Sequence, residues 1–126
     1  MSVSGSASTV GTVITGETAG DEAGSAVGAG GDFDGDGVAD LIIGALRSDY
    51  AGTDAGSAYL VTGPVTADMN LGSADFRWDG LEEDDQIGGG VSVAFAGDTN
   101  NDGLDDLIIG GQFDDTAADL AGAAYI

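Results

Sequence analysis

The stretch Gly31-Asp-Phe-Asp-Gly-Asp-Gly-Val-Ala-Asp-Leu-Ile-Ile-Gly44 occurs twice in this chain. Its second, altered form is Gly97-Asp-Thr-Asn-Asn-Asp-Gly-Leu-Asp-Asp-Leu-Ile-Ile-Gly110, an offset of 66 residues (97 minus 31). The same offset aligns Ala55-Gly-Ser-Ala-Tyr59 with Ala121-Gly-Ala-Ala-Tyr125. Self-similarity at a fixed offset indicates a repeat architecture. We therefore interpret residues 1–126 as one module of two copies, about 1–64 and about 65–126.

The apolar residues within each copy follow the pattern of short strands. Leu-Ile-Ile at 41–43 and at 107–109 is apolar, β-branched and bounded by glycine. The 24 glycines predict many tight turns between short elements. This pattern predicts an all-β fold of four short antiparallel strands per copy, typical of a β-propeller blade. The predicted strands are 25–31, 41–43 and 57–62 in one copy, 91–97, 107–109 and 123–126 in the other, and a fourth of each set at 10–14 and 74–78.

The composition excludes several classes of function. The chain has no Cys and no His, which removes disulfides, thiol chemistry, thiolate or imidazole metal sites and histidine-dependent catalytic triads. Its 23 acidic and two basic residues give a net charge of −21, so binding to nucleic acid or to anionic lipid is not expected. A hydrophobic content of 42% is too high for a disordered chain.

Two further expectations concern membranes and targeting. No stretch approaches the length of apolar sequence that a membrane span needs, so we expect no membrane insertion. The first residues carry neither a basic start nor an apolar run, and thus have no pattern of a signal peptide.

An acidic loop precedes the strand at 41–43 and recurs before the strand at 107–109. Carboxylates at alternate positions of a tightly wound loop can turn inward together, and Ca²⁺ takes about six to eight oxygen ligands. Glycine at loop position 6, Gly37 or Gly103, permits the sharp turn. The predicted side-chain ligands are Asp32, Asp34, Asp36 and Asp40 in the first loop, and Asp98, Asn100, Asp102 and Asp106 in the second.

Loop position 7 is Val38 or Leu104, whose side chain has no oxygen, so we expect its backbone carbonyl to be the ligand. The sequence therefore predicts two Ca²⁺ per chain, one per copy. The first loop, with four carboxylates against three and an amide, should bind more tightly. Asp105, at position 8, is expected to face solvent.

The alternative to a metal site is an ordinary acidic turn, since Asp and Gly favour turns for local reasons. Two matches in register favour metal binding. An EF-hand is excluded because its position 12 requires a bidentate Glu, whereas this chain has Ile43 and Ile109 there. Mg²⁺ is less suited because it demands near-octahedral geometry and keeps its waters.

These residues resemble the FG-GAP repeat of integrin α-chain propellers and related bacterial surface proteins. That repeat has a Phe-Gly pair, a D-x-D-x-D-G-x-x-D calcium loop and a Gly-Ala-Pro segment. The chain departs from it at the first pair, which is Ala23-Gly24 or Ile87-Gly88, and at Gly-Ala-Pro, which is Gly44-Ala45-Leu46 or Gly110-Gly111-Gln112. The resemblance implies a non-enzymatic, calcium-stabilised module for adhesion or surface recognition, in an extracellular or cell-surface parent protein.

Two blades are fewer than the roughly four to eight of a propeller. One hypothesis is that identical chains join head to tail, three or four closing a ring of six or eight blades; the other is that the chain is a piece of a longer propeller. Ile126 of one chain followed by Ser2 of the next would recreate the strand that continues past Tyr59 in the first copy.

Two other functions remain open. A lectin-like propeller could stack sugars on Trp78 or Tyr50, whereas Tyr59 and Tyr125 recur in register and are expected in the blade core. A glycosidase would need paired carboxylates. The run Glu82-Glu83-Asp84-Asp85 is expected to be a solvated turn, and Arg47 and Arg77 to form surface ion pairs. The ligand, protein or glycan, is left open.

Overall fold

The structure, a computed structural model, describes residues 11–83, 85, 87, 92–114, 117–118 and 121–126. The expectations for residues 2–5, for Val10 and for the start of the strand at 91–97 fall on or include positions outside these ranges. The described residues form nine strands: β1 Ile14–Thr15, β2 Ala23–Ala29, β3 Leu41–Ala45, β4 Ser57–Val61, β5 Met69–Asn70, β6 Phe76–Asp79, β7 Val93–Gly97, β8 Asp106–Gly111 and β9 Ala123–Tyr125.

Seven of these strands form two antiparallel sheets. The first sheet has the order β2-β3-β4-β6, and the second sheet has the order β7-β8-β9. In both sheets each strand pairs with the next sheet strand along the chain, and β5, between β4 and β6 in sequence, belongs to neither sheet. The all-β prediction is confirmed, and both sheets are consistent with propeller blades. Among the described residues, no helix is long and apolar enough to cross a membrane.

The first sheet is apolar on both faces. Ile42 lies opposite Leu60 on the face toward the second sheet, and Ile43 lies opposite Tyr59 on the other. All four side chains are buried. Burial on both faces explains why β3 and β4 are nearly continuous apolar runs rather than alternating ones.

The two sheets pack against each other through β7, which contacts both β2 and β3. Val93, Leu107 and Ile109 of the second sheet join Ile42 and Leu60 in one buried cluster. The approach is close at Gly31, where a Cβ atom would collide with the ring of Phe95. A glycine is therefore needed at this point by packing.

The segment expected as a blade strand at 10–14 has another role. In its described part, Ile14 and Thr15 form β1, which pairs in parallel with β5 rather than antiparallel within a blade. The outer edge of β4 is already occupied by β6, and Ile14 instead packs against the apolar cluster of Ile43 and Tyr59. The expectation of a blade strand here is therefore corrected for Ile14.

The strand expected at 74–78 is β6, which pairs with β4 and completes the first sheet. That sheet therefore runs from residue 23 to residue 79 and includes residues from both sequence copies. In the second sheet the described residues supply three strands, and the expected fourth strand of each blade is seen only in the first sheet.

We predict that Gly31→Ala lowers the free energy of unfolding by about 1–3 kcal/mol, because the new methyl group collides with Phe95. Urea unfolding followed by circular dichroism measures the change. Gly11→Ala is the matched control, since a Cβ atom there meets nothing within 4 Å. Equal stabilities of the two variants would contradict close packing at Gly31.

Candidate metal site

Three of the predicted ligands of the first loop converge in the structure. Asp32, Asp34 and Asp40 each offer a carboxylate oxygen, and these oxygens lie within 4.8 Å of one another. Two ligands of one Ca²⁺ can be as much as about 5 Å apart, because each bond is about 2.3–2.6 Å long. The donor set is all oxygen and negatively charged, so the spacing and the chemistry both fit a hard divalent cation.

The loop is wound by hydrogen bonds from its own backbone to Asp32. Oδ1 of Asp32 accepts from the amide of Gly35 at 2.8 Å, and Oδ2 accepts from that of Gly37 at 2.9 Å. Both glycines have positive φ, 78° and 84°, which side-chain-bearing residues rarely adopt. The Gly at position 6 thus has the role that the sequence predicted for it.

Asp40 anchors the loop to the first sheet. Its side chain is fully buried, with 0% of the residue exposed. Oδ2 accepts from the amide of Phe33 at 2.7 Å, and Oδ1 accepts from the amide of Gly63 at 2.9 Å. Since Gly63 follows β4, this carboxylate holds the loop against the turn beyond the neighbouring strand. A buried carboxylate with two amide donors is well compensated.

Asp36 lies outside the converging group. Its Oδ1 accepts from the amide of Val38 at 2.7 Å, while its own amide donates to Oδ1 of Asp34 at 3.1 Å. Asp36 therefore orders the middle of the loop in this structure. Its role as a ligand, and that of the Val38 carbonyl, stay predictions.

The second loop is wound like the first. Oδ2 of Asp98 accepts from the amide of Gly103 at 2.9 Å, and Oδ1 of Asp102 accepts from that of Leu104 at 2.9 Å. These bonds reproduce those of Asp32 with Gly37 and of Asp36 with Val38. The two copies therefore share a loop conformation as well as a sequence pattern.

The second loop differs from the first in how its carboxylates are arranged. Among the described acidic residues, those of the second loop form no group like that of the first. Oδ1 of Asp106 accepts from the side-chain amide of Asn100 at 3.2 Å, and its Oδ2 accepts from the backbone and hydroxyl of Thr99. These bonds, the Thr99 hydroxyl first, lower the pKa of Asp106. An aspartate replaces Asn100 in the first copy, at residue 34.

The two loops are bonded to each other through Asp105. Its Oδ2 accepts from the amide of Asp32 at 2.9 Å, and its own amide donates to the Asp32 carbonyl at 3.1 Å. The expectation that Asp105 faces solvent is therefore wrong. Its repeat counterpart, 66 residues earlier, is Ala39, and that difference between copies was the signal in the sequence.

A second acidic residue expected in solvent is buried. Asp85 is 1% exposed, and its Oδ2 accepts from the amides of Leu81 at 2.8 Å and Glu82 at 2.7 Å. Asp84 lies outside the described residues. Asp114, also buried, accepts from the hydroxyl of Tyr125. These carboxylates hold turns and a strand in place.

Several aromatic residues pack against the core, although Tyr50, Phe76 and Phe113 are exposed. Trp78 packs near Phe33 and Phe76, with ring centroids 6.4 Å and 6.1 Å away. Tyr59 is buried, and burial raises the pKa of its hydroxyl. Tyr125 packs against the cluster between the sheets. The expected core positions of both tyrosines are confirmed.

Both arginines pair with carboxylates, as predicted. Arg47 lies 3.4 Å from a carboxylate oxygen of Glu22. Arg77 lies 2.9 Å from Asp79 and 3.4 Å from Glu17, and its guanidinium stacks on the ring of Tyr50. Arg77 is the less exposed of the two, which makes its pairs part of the packing at the edge of the first sheet.

Residues 23–61 match the family model of the FG-GAP repeat. This segment is an FG-GAP repeat. It contains β2, the first acidic loop, β3 and β4. Comparison with curated proteins finds no match for the chain. FG-GAP repeats are interaction modules of propeller type and are typically extracellular, as in integrins. The second copy rests on the internal repeat of the sequence.

We predict that Asp105→Ala is less stable than Asp105→Asn by about 1 kcal/mol, because only Asn keeps an oxygen that can accept from the Asp32 amide. Both variants remove the same charge, so the comparison isolates the hydrogen bond. Urea unfolding gives the difference. Identical unfolding of the two variants would show that this contact between the loops does not stabilise the fold.

Proposed function

We propose that this chain is a non-enzymatic, calcium-binding β-propeller module that serves as a structural and interaction scaffold. The observation that carries the proposal is the convergence of Asp32, Asp34 and Asp40 within an FG-GAP repeat. The site lies in the loop that joins β2 to β3, at one end of the first sheet. Such a position suits an ion that holds a hairpin closed.

The proposed sites take one Ca²⁺ per loop and two per chain. Bound calcium would supply positive charge where several carboxylates meet, and the loop residues would supply the oxygens. The residues that would hold it are Asp32, Asp34, Asp36, the Val38 carbonyl and Asp40 in the first loop, and Asp98, Asn100, Asp102, the Leu104 carbonyl and Asp106 in the second.

A structural role for the ion follows from what the loop residues contact. Asp40 ties the first loop to Gly63, and Asp32 ties it to Asp105 of the second loop. Ordering the first loop therefore also orders the turn after β4 and the junction between the two sheets. The described residues form no helix pair like the one through which an EF-hand transmits calcium binding, so we propose a stabilising ion rather than a sensor.

The proposed biological role is adhesion or surface recognition in an extracellular or cell-surface parent protein, with a protein or glycan as ligand. FG-GAP repeats occur typically in such proteins. The two alternative functions receive less support. Of the two residues proposed for sugar stacking, Trp78 packs with Phe33 and Phe76, and the ring of Tyr50 is stacked against the Arg77 guanidinium. A glycosidase would need a pair of available carboxylates, and in the acidic run at 82–85 the carboxylate of Asp85 accepts from two backbone amides.

We predict that calcium raises the melting temperature of the parent chain and that Asp34→Ala removes the part of this increase that the first site contributes. An ion present at about 100 times its Kd stabilises the folded state by about 2.7 kcal/mol. Differential scanning calorimetry in excess calcium and in chelator measures the effect. In chelator, parent and variant should melt alike, because Asp34 is exposed.

The control for this experiment is Glu82→Ala, which removes an exposed negative charge outside both loops. This variant should keep the full calcium response. If calcium shifts the melting of parent and Asp34→Ala equally, the proposed structural ion is wrong.

We predict that exchanging one ligand between the loops reverses the order of their affinities. Asp34→Asn should weaken the first site and Asn100→Asp should strengthen the second, each by about tenfold, because the number of carboxylates tunes calcium affinity. The double variant keeps the net charge of −21. Isothermal titration calorimetry resolves the two sites. The double variant exchanges the two affinities, so its isotherm should resemble that of the parent, and each single variant should differ from it. Unchanged isotherms in both single variants would rule out these residues as ligands.

A further inference from the structure

The contact between the two sheets joins two different surfaces. We call the face of each sheet that carries Ile42 or its counterpart Ile108 the back face, and the opposite one the front face. The back face of the first sheet, with Ile42 and Leu60, packs on the front face of the second sheet, with Val93 and Ile109. Front and back faces are therefore complementary in this fold.

Each chain leaves at its surface the part of the first sheet's front face that lies beside β2, and the back face of the second sheet. Val27, on the front face of the first sheet, is 70% exposed, whereas its repeat counterpart Val93 is 5% exposed. Ile42 is fully buried, whereas its counterpart Ile108 is half-buried. The same repeat positions are thus buried once and uncovered once in every chain.

Both uncovered faces carry apolar hollows. A groove of about 480 Å³ on the front face of the first sheet is lined by Val27, Leu41 and Ile43, with Ile14 at its border. A smaller hollow of about 170 Å³ on the back face of the second sheet is lined by Ile108 and other residues, among them Ala94, Gly110 and Ala124. None of the described residues that line either hollow is charged, although the chain carries 23 acidic residues.

Strand β1 marks where a docked sheet would end. Ile14 packs against the cluster of Ile43 and Tyr59, as Trp78 of β6 packs against the cluster that holds Ile109 and Tyr125. Ile43 and Ile109 are repeat counterparts, as are the two tyrosines. Ile14 therefore packs on the front face of the first sheet as Trp78 packs on the front face of the second. Trp78 belongs to β6, the outer strand of the sheet next to that face.

We propose that a second copy of this chain docks here head to tail. The back face of the second sheet of one copy packs on the front face of the first sheet of the next, with β9 beside β1. In the first sheet Ala58 lies opposite Trp78. Ala124 is the counterpart of Ala58 at the offset of 66, and Ile14 is the counterpart of Trp78 when Gly16 is aligned with Gly80, an offset of 64. The same register therefore places Ala124 of one copy opposite Ile14 of the next.

This interface is heterologous, since it joins two different patches of the same chain, and such contacts close into rings when the rotation permits. Three or four chains would supply six or eight blades, within the range of propellers. The proposal deepens the scaffold role proposed above and rests on the blade-like sheets alone, not on calcium binding. Because each chain carries a charge of −21, assembly requires salt that screens the repulsion.

The test is the absolute mass in moderate salt and calcium, measured by light scattering. The parent should show three or four times 12.3 kDa. Val27→Glu and Ala124→Glu each block one face, so each variant alone should be a monomer. Their equimolar mixture should give dimers, because each variant keeps the face that the other lacks. Ala51→Glu, an exposed position outside both faces, should keep the parent mass.

A monomeric parent would overturn the proposal, as would a blocked variant that still assembles or a mixture that stays monomeric. Circular dichroism and calcium titration of each variant show whether it folds and binds ions. Folded, calcium-binding chains that do not assemble would overturn this interface and leave the proposed function intact. Assembly without calcium binding would do the reverse.

A second measurement covers the case in which a glutamate variant does not fold. The chain has no cysteine, so Ile14→Cys and Ala124→Cys, made in separate chains, report on one contact only. With a mass tag on one of them, the mixture should form disulfide-linked dimers of one tagged and one untagged chain. Only same-variant dimers, or none, would contradict the proposed register.

Discussion

The apolar contact between the two sheets is the interaction on which the rest of the structure depends. Ile42, Ala58 and Leu60 are fully buried because the second sheet covers them. Burial of apolar surface contributes about 25 cal/mol per Å² to the stability of the folded state, so this contact stabilises both sheets. The contact also brings the two acidic loops together, so that Asp105 reaches Asp32. Loss of this packing would therefore disturb the candidate metal site as well as the core.

The acidic residues differ in burial and in how many backbone amides already engage their carboxylates. Asp40 and Asp85 are buried and accept from backbone amides, which compensates their burial within the protein itself. Asp34 is exposed and has a carboxylate oxygen near those of Asp32 and Asp40. Because the chain has only two basic residues, a bound cation is the charged partner that we propose for this group. This difference links the stability of the fold to the proposed function.

The strands that the sequence predicted correctly are those with a local signal. The strands β3, β4 and β6 lie within two residues of their predicted positions, since their apolar residues and flanking glycines are legible in the chain. The winding of both loops is also local, because an aspartate side chain accepts from amides two to five residues later. The environments of Asp105 and Asp85 were mispredicted, since each depends on which backbone amides the fold brings near.

The amino-acid sequence by itself determined that the chain is a repeated β unit with an oxygen-rich loop in each copy. Those properties depend on neighbouring residues in the chain, through the periodicity of the strands and the residue types in the turns. Only the tertiary structure decided which faces are covered. Val27 and Val93 are the same residue at the same repeat position, yet the first is exposed and the second buried. Val93 lies on the front face of the second sheet, which the first sheet covers. Val27 lies on the front face of the first sheet, at a place where neither described sheet covers it.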